Sequence, residues 1–285
     1  MASLKEVKAR ISSVNSTLKI TSAMRMISSV KLHHALSEIS NLKPYQKVLK
    51  DILSEVLTER ADLTSPYLEV RPVKKVAIVA ISSSTSLCGS FNVNIEKMVK
   101  SVIDEYKNLG TENILLFTIG KKIAKHLSNQ NLHFENFEPN LSEKPDYKDS
   151  VDVAQKLMNL FKEGKVDRVE IIYNHLKSVA VQIPVRELYL PLVPETNVQK
   201  HPEFYIFEPD IDSMSLELIE NILKYAIFTA LSDSVAAEHA ARTVAMQMAS
   251  DNASKLIQEL TIQYNKTRQQ AITSELLDIM GGMSR

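Results

Sequence analysis

Glycine and proline are missing from Asp210 to Met280, and again from Met1 to Lys43. That excludes an ordinary globular layout over those stretches, because one of these residues usually ends a helix after three or four turns. An unbroken helix over the longer stretch spans roughly 100 Å at 1.5 Å per residue. The 285 residues include only 6 glycines and no tryptophan, which fits a helix-rich protein. The single cysteine, Cys88, excludes an internal disulfide and is consistent with a reducing compartment. Lys and Arg total 34, and so do Asp and Glu, so the whole molecule is no obvious polyanion binder. The longest apolar runs, such as Val76 to Ile81, are too short to cross a bilayer. Met1 to Arg10 has charges and no apolar stretch behind them, so neither a signal peptide nor a transit peptide is expected.

What is present is a set of helical stripes. Leu4, Val7, Ile11, Val14 and Leu18 are spaced 3, 4, 3, 4, the seam of a left-handed coiled coil. The apolar residues then shift to Ile20, Met24 and Ile27, which predicts a stutter. Pro44 is expected to kink or interrupt the helix, and Tyr45 to Leu57 to continue it. Leu216, Ile219, Leu223, Ala226 and Ala230 form a second seam, with Ile257, Leu260, Tyr264 and Ala271 further on. Asp212 or Ser213 suits the start of this helix, and Gly281–Gly282 its end.

The middle alternates strand and helix. Apolar runs predict strands over Val76–Ile81, Ile114–Ile119, Val169–Tyr173 and Val179–Val185. Helical spacing is found over Asn94–Leu109, Lys121–Leu127 and Val151–Phe161, and Asn129–Asp149 reads as loop. The order predicts an α/β fold with a small, mostly parallel, doubly wound, Rossmann-like sheet, whose last strands run antiparallel. Three parts follow: an N-terminal coiled-coil helix over 1–60, a globular α/β domain over 73–209, and a C-terminal coiled-coil helix over 210–285. If both terminal helices leave the same side of the middle domain they must run antiparallel, and each can then bury the other's stripe. The C-terminal one is the longer, so its tip is expected to project alone.

The candidate chemistry is thin. Ser82–Gly89 follows a strand and precedes a helix, where α/β proteins hold phosphates. It carries neither G-x-x-x-x-G-K-[ST] nor G-x-G-x-x-G, so a capped turn is the plainer reading. No histidine-containing motif accompanies Cys88. His33 and His34 are adjacent on a helix and diverge, and no i, i+4 ligand pair of the H-E-x-x-H kind occurs. Glu238–His239 reads as surface or seam polarity rather than a catalytic dyad. The charges of Lys5, Lys8, Arg10, Lys19, Arg25 and Lys31 face Glu6 alone between Met1 and His34. Solvated helices usually mix signs, so a one-sign stripe suggests an acidic partner surface. Nucleic acid is disfavoured by the lack of interleaved aromatics and of any reading motif. On these grounds alone a free-standing coiled-coil scaffold stays open beside a shaft in a larger machine.

Several motifs together resemble one family. Lys19-Ile20-Thr21-Ser22-Ala23-Met24-Arg25-Met26, Ser86-Leu87-Cys88-Gly89 with Phe91-Asn92-Val93-Asn94, and Tyr205 to Asp210 resemble γ subunits of F-type ATP synthases of the bacterial type. So do Ala237-Glu238-His239-Ala240-Ala241-Arg242, Val244-Ala245-Met246, Asp251-Asn252-Ala253 and Tyr264 to Gln269 running into Ala271 to Glu275. The resemblance runs from end to end. It departs at Ser84-Thr85-Ser86, where the family has an acidic or amide residue and Arg-Gly, and at Met283, where it has alanine.

The resemblance implies a central rotor shaft with no cofactor and no catalytic or metal site of its own. The implied partners are three α and three β subunits, the ε subunit and a membrane-embedded c-ring. The location is peripheral, on the cytoplasmic side of a bacterial plasma membrane. Arg268, Gln269 and Thr273 match positions facing a β-subunit loop. Arg242 and Met24 match shaft positions close to β or packed in the coiled coil. Tyr205 and Phe207 match the foot near the membrane ring.

Overall fold

The computed structural model describes residues 3–59, 65–137, 139–193 and 211–283. Helix α1 spans Leu4–Glu59, followed by β1 (Val76–Ile81), α2 (Phe91–Glu105), β2 (Ile114–Ile119) and α3 (Lys121–Asn129). Then come β3 (Glu135–Asn136), α4 (Tyr147–Lys162), β4 (Arg168–Ser178), β5 (Val181–Leu190) and α5 (Ile211–Met283). The sheet order is β3-β2-β1-β4-β5. β1 runs parallel to both β2 and β4, β2 parallel to β3, and only β4 and β5 are antiparallel. The expected architecture is found: long helices at both ends and a small, mostly parallel sheet between them.

Strand β1 shows why the sheet must be covered on both faces. All six of its residues are buried. Ala77, Val79 and Ile81 pack on one side with α4 residues such as Leu157 and Phe161 and with Ile219, Leu223 and Ile227 of α5. Val76, Ile78 and Ala80 pack on the other side with Ile95 and Val99 of α2 and Ile123 of α3. Period-two alternation therefore sends successive side chains into two different apolar layers. Each fully buried Ile or Leu contributes about 1.5–3 kcal/mol relative to exposure. Gly120 joins β2 to α3 at φ +103°, and a Cβ there would lie 2.1 Å from the Ser82 carbonyl oxygen. Only glycine allows the two turns to meet this closely.

The chain divides into two compact units, Val30–Ala241 and Met1–Ser29 with Arg242–Arg285. The first holds the sheet, the later part of α1 and the early part of α5. In the second, Thr21 Oγ1 and Ser250 Oγ are 2.8 Å apart and Arg25 donates to Gln247 Oε1. Rising numbers on α1 meet falling numbers on α5, so the helices are antiparallel.

Five expectations from the sequence differ from the structure. The seam of α1 has no stutter. Ile20 and Ile27 are well exposed, and Thr21, Arg25 and Ser28 take the inward positions between Leu18 and Leu32, keeping the 3, 4 spacing. Small and polar residues satisfied across the pair fill a seam as well as aliphatic ones do. Pro44 does not interrupt α1; Ile39 before it and Leu49 and Leu53 after it are held in apolar clusters, which offsets the lost backbone hydrogen bond. Gly281 and Gly282 lie inside α5 rather than ending it, because glycine can also take helical dihedrals, at about 1 kcal/mol relative to alanine. Leu216 and Ala271 are exposed, and Ser215 and Thr267 are the less exposed positions near them. The 129–149 stretch is not all loop: it contains β3, and α4 begins at Tyr147.

Candidate functional site

In doubly wound folds the ligand crevice lies beyond the carboxyl ends of the strands, where the strand order reverses. Here that point is between β1 and β4. The turn from Ser82 to Gly89 leaves β1 there, and β4 continues past it as Tyr173 to Ser178. The crevice is filled by the chain itself. Cys88 and Phe91 pack against Ala237 and Ala241 of α5, and Leu176 of β4 joins them.

The polar groups of the turn are also occupied. The Ser83 N–H donates to Asn92 Oδ1 at 3.1 Å and the Ser83 hydroxyl to the Thr85 carbonyl at 2.6 Å. Ser82 Oγ accepts from the Ile123 N–H at 3.0 Å, and Ser84 and Ser142 hydroxyls lie 2.7 Å apart. Asn92 Nδ2 donates to Cys88 Sγ at 3.2 Å, and the thiol is buried. This is a closed, capped turn, and a buried thiol of this kind has no path to a substrate.

A second polar centre escaped the sequence reading. Glu170 stands on β4 with its side chain 1% exposed. It accepts from Tyr106 Oη, Arg168 Nε and Arg186 Nε, each at 2.7 Å. Its hydrogen bond and charge hold the Arg186 guanidinium above its ordinary pKa, against the opposing effect of burial. Burial, and then the bond to Glu170, raise the Tyr106 phenol. Both carboxylate oxygens accept hydrogen bonds, so the cluster holds β4, β5 and the end of α2 together rather than offering a base. The only signal in the sequence was a charged residue inside the apolar run Val169 to Tyr173.

Arg268, Gln269 and Thr273 are all exposed on α5, and the Thr273 hydroxyl donates back to the Gln269 carbonyl at 2.9 Å. Gln269 and Thr273 are four residues apart and share a face. Arg268 forms no ion pair among the described residues. Around them Ile272, Leu276, Leu277, Ile279 and Met280 are between 49% and 69% exposed. Met24 is half-buried beside the α1 seam, and Arg242 is buried. These five residues do not converge on one point. Tyr205 and Phe207 lie outside the described residues. Of the basic stripe, Lys5, Lys8, Arg10, Lys19 and Lys31 are exposed, whereas Arg25 is partly turned inward. Glu238 and His239 are buried rather than at the surface. No cluster of three metal-ligating side chains exists among the described residues, and no helix there is long and apolar enough to cross a membrane.

Long helices at both termini and a small, mostly parallel α/β sheet define the fold class. The ATP synthase family profile matches residues 3–284, and the chain belongs to that family. It is 50% identical to the ATP synthase gamma chain of Bacteroides thetaiotaomicron, with 99% of each chain covered. The gamma chain of Christiangramia forsetii is 40% identical over 99% of this chain and 98% of its own. Among solved structures, a central stalk chain of the Tetrahymena thermophila mitochondrial ATP synthase matches with a TM-score of 0.60 and 23% identity. The match covers 81% of this chain and 99% of that one, and establishes a shared fold.

Proposed function

We propose that the chain is the central rotor shaft of an F-type ATP synthase, coupling ion flow through a membrane ring to ATP synthesis and hydrolysis on β subunits. It is non-catalytic by itself. The observation that carries this reading is the crevice between β1 and β4: the place where such a fold takes a nucleotide is filled by the chain's own α5. The nucleotide chemistry then belongs to partners, three α and three β subunits around the paired helices. In chain terms, 1–60 and 210–285 serve as the shaft and 73–209 as the foot, which meets the ε subunit and the c-ring. The assembly is peripheral to the bacterial plasma membrane on its cytoplasmic side.

A shaft works by differential contact. Each angle must favour a different set of β conformations, because a partner that bound all angles equally would be driven nowhere. The exposed end of α5 suits such a contact: Arg268, Gln269 and Thr273 form a polar latch to a β loop, with Ile272 and Leu276 beside it. Met24 and Arg242 are further shaft positions in this reading, close to β or packed in the coiled coil. Tyr205 and Phe207 belong to the foot in this reading. The test is co-expression with α and β subunits and purification under mild detergent. Recovery of one copy of this chain per hexamer, with ATP turnover that depends on it, is expected. Purification of the chain alone, or unchanged turnover without it, would overturn the reading.

A further inference from the structure

Torque entering the foot must pass into α5, so something must stop α5 turning about its own axis against the sheet. Apolar burial is non-directional. It resists separation far better than rotation, above all where the side chains are small. The stretch of α5 that fills the crevice is of this kind: Ala236 and Ala240 meet Leu32, Ala35 and Ile39, and Ala237 and Ala241 meet Cys88 and Phe91. Methyl groups offer almost no knob to oppose a turn.

Asp233 differs. Its side chain is 5% exposed, its Oδ2 lies 2.5 Å from Nδ1 of His175, and its Oδ1 accepts the backbone N–H of Leu176 at 3.3 Å. Both donors come from β4. One residue of helix is about 100° of rotation, so a slip of one position would remove the carboxylate from both donors. It would leave a buried charge unpaired, among the costliest changes a protein interior can undergo. Glu238 adds a longer tie: its Oε1 accepts from the hydroxyl of Thr85, in the turn after β1, at 3.4 Å.

We propose that Asp233, held by His175 and the Leu176 N–H, is the positioning residue that fixes the azimuth of α5 against the sheet and so makes the foot and the shaft turn as one. This rests on the rotor reading above. The experiment uses the complete complex in sealed vesicles, measuring ATP hydrolysis and ions pumped per ATP. Asp233→Asn keeps the shape and removes the charge. Hydrolysis near the wild-type rate is expected, with pumping per ATP down about fivefold or more, the low end of typical coupling effects. Asp233→Glu, which keeps the charge, should recover part of the ratio. His175→Gln, at the more exposed partner, should lower it less. If Asp233→Asn fails to assemble, His175→Gln decides. An unchanged ratio in either assembled variant, even with a lowered melting temperature, overturns the proposal and leaves Asp233 a purely structural group. A wild-type complex that assembles without pumping overturns the rotor reading, and this inference falls with it.

Discussion

Two stretches of the same helix reverse the usual rule of burial. Every residue of α5 from Ala230 to Arg242 is less than a tenth exposed, and every residue from Arg268 to Met280 is exposed. Yet the buried stretch contains Ser232, Asp233, Ser234, Glu238, His239 and Arg242, while the exposed one contains Ile272, Leu276, Leu277, Ile279 and Met280. A buried polar residue and an exposed apolar cluster are the two informative departures from pattern. The first means, for Asp233 and Glu238, that the partners are already inside the chain, His175 and Thr85, whereas the buried Ser232 hydroxyl has no partner among the described residues. The second means that the partner is elsewhere. One helix therefore has an end finished by its own fold and an end that another surface must finish.

The largest effect expected from this contrast is at the open end. Arg268 presents a planar fork of donors suited to a carboxylate, and Gln269 can donate and accept. Losing a charge-assisted contact at a desolvated interface typically costs about 1.5–3 kcal/mol. Arg268→Ala with Gln269→Ala should leave the circular dichroism of the chain unchanged and sharply lower ATP hydrolysis and synthesis by the assembled complex. Turnover equal to wild type would sink the latch. Normal folding with lost assembly would make the pair a docking contact instead. Arg285→Ala is the control and should change little.

A paired substitution asks the same question of stability. Ala240 is fully buried and Ala271 is exposed. Ala240→Leu forces three extra heavy atoms between Leu32, Ala35 and Leu176 and should cost about 1–3 kcal/mol. Ala271→Leu should stay within about 0.5 kcal/mol. Urea unfolding of the isolated chain would read both. Similar midpoints for the two variants would mean that the buried stretch is looser than the packing indicates.

The contrast also explains which features the sequence disclosed. The limits of β1 and β2 match the apolar runs 76–81 and 114–119 because a strand buried on both faces is apolar throughout. The apolar stripe points to Ile20 and Ile27 in the α1 seam, whereas the helix turns Thr21 and Arg25 inward to meet Ser250 and Gln247 of α5. A hydroxyl paired across two helices looks like any surface hydroxyl until its partner, more than 200 residues away, is in place. The same holds for Glu238–His239, which reads as surface or seam polarity and is buried. The site residues at the tip rest on the family resemblance, while the exposed aliphatic residues around them are legible in the sequence itself.

The smallest effect is where α5 meets the sheet ahead of the buried stretch, and it appears only in alkali. The Tyr189 hydroxyl donates to the Leu223 carbonyl at 3.2 Å, and burial holds its phenol well above the ordinary value. Tyr173 is raised in the same direction, first by burial and then by Glu187. For a group whose folded pKa is raised, the contribution to stability is complete below the unfolded pKa, about 10 for tyrosine, and is lost as pH climbs through the folded value. The fold should therefore keep its stability up to about pH 10 and then lose about 1.4 kcal/mol per pH unit for each such tyrosine. Tyr189→Phe removes one of these ionisations. At neutral pH it should cost no more than about 1 kcal/mol, the net worth of one hydrogen bond. Urea midpoints at pH 8, 10 and 11 provide the comparison. The variant should fall less steeply than wild type above pH 10, and parallel declines would show that Tyr189 ionises as freely in the fold as in the unfolded chain.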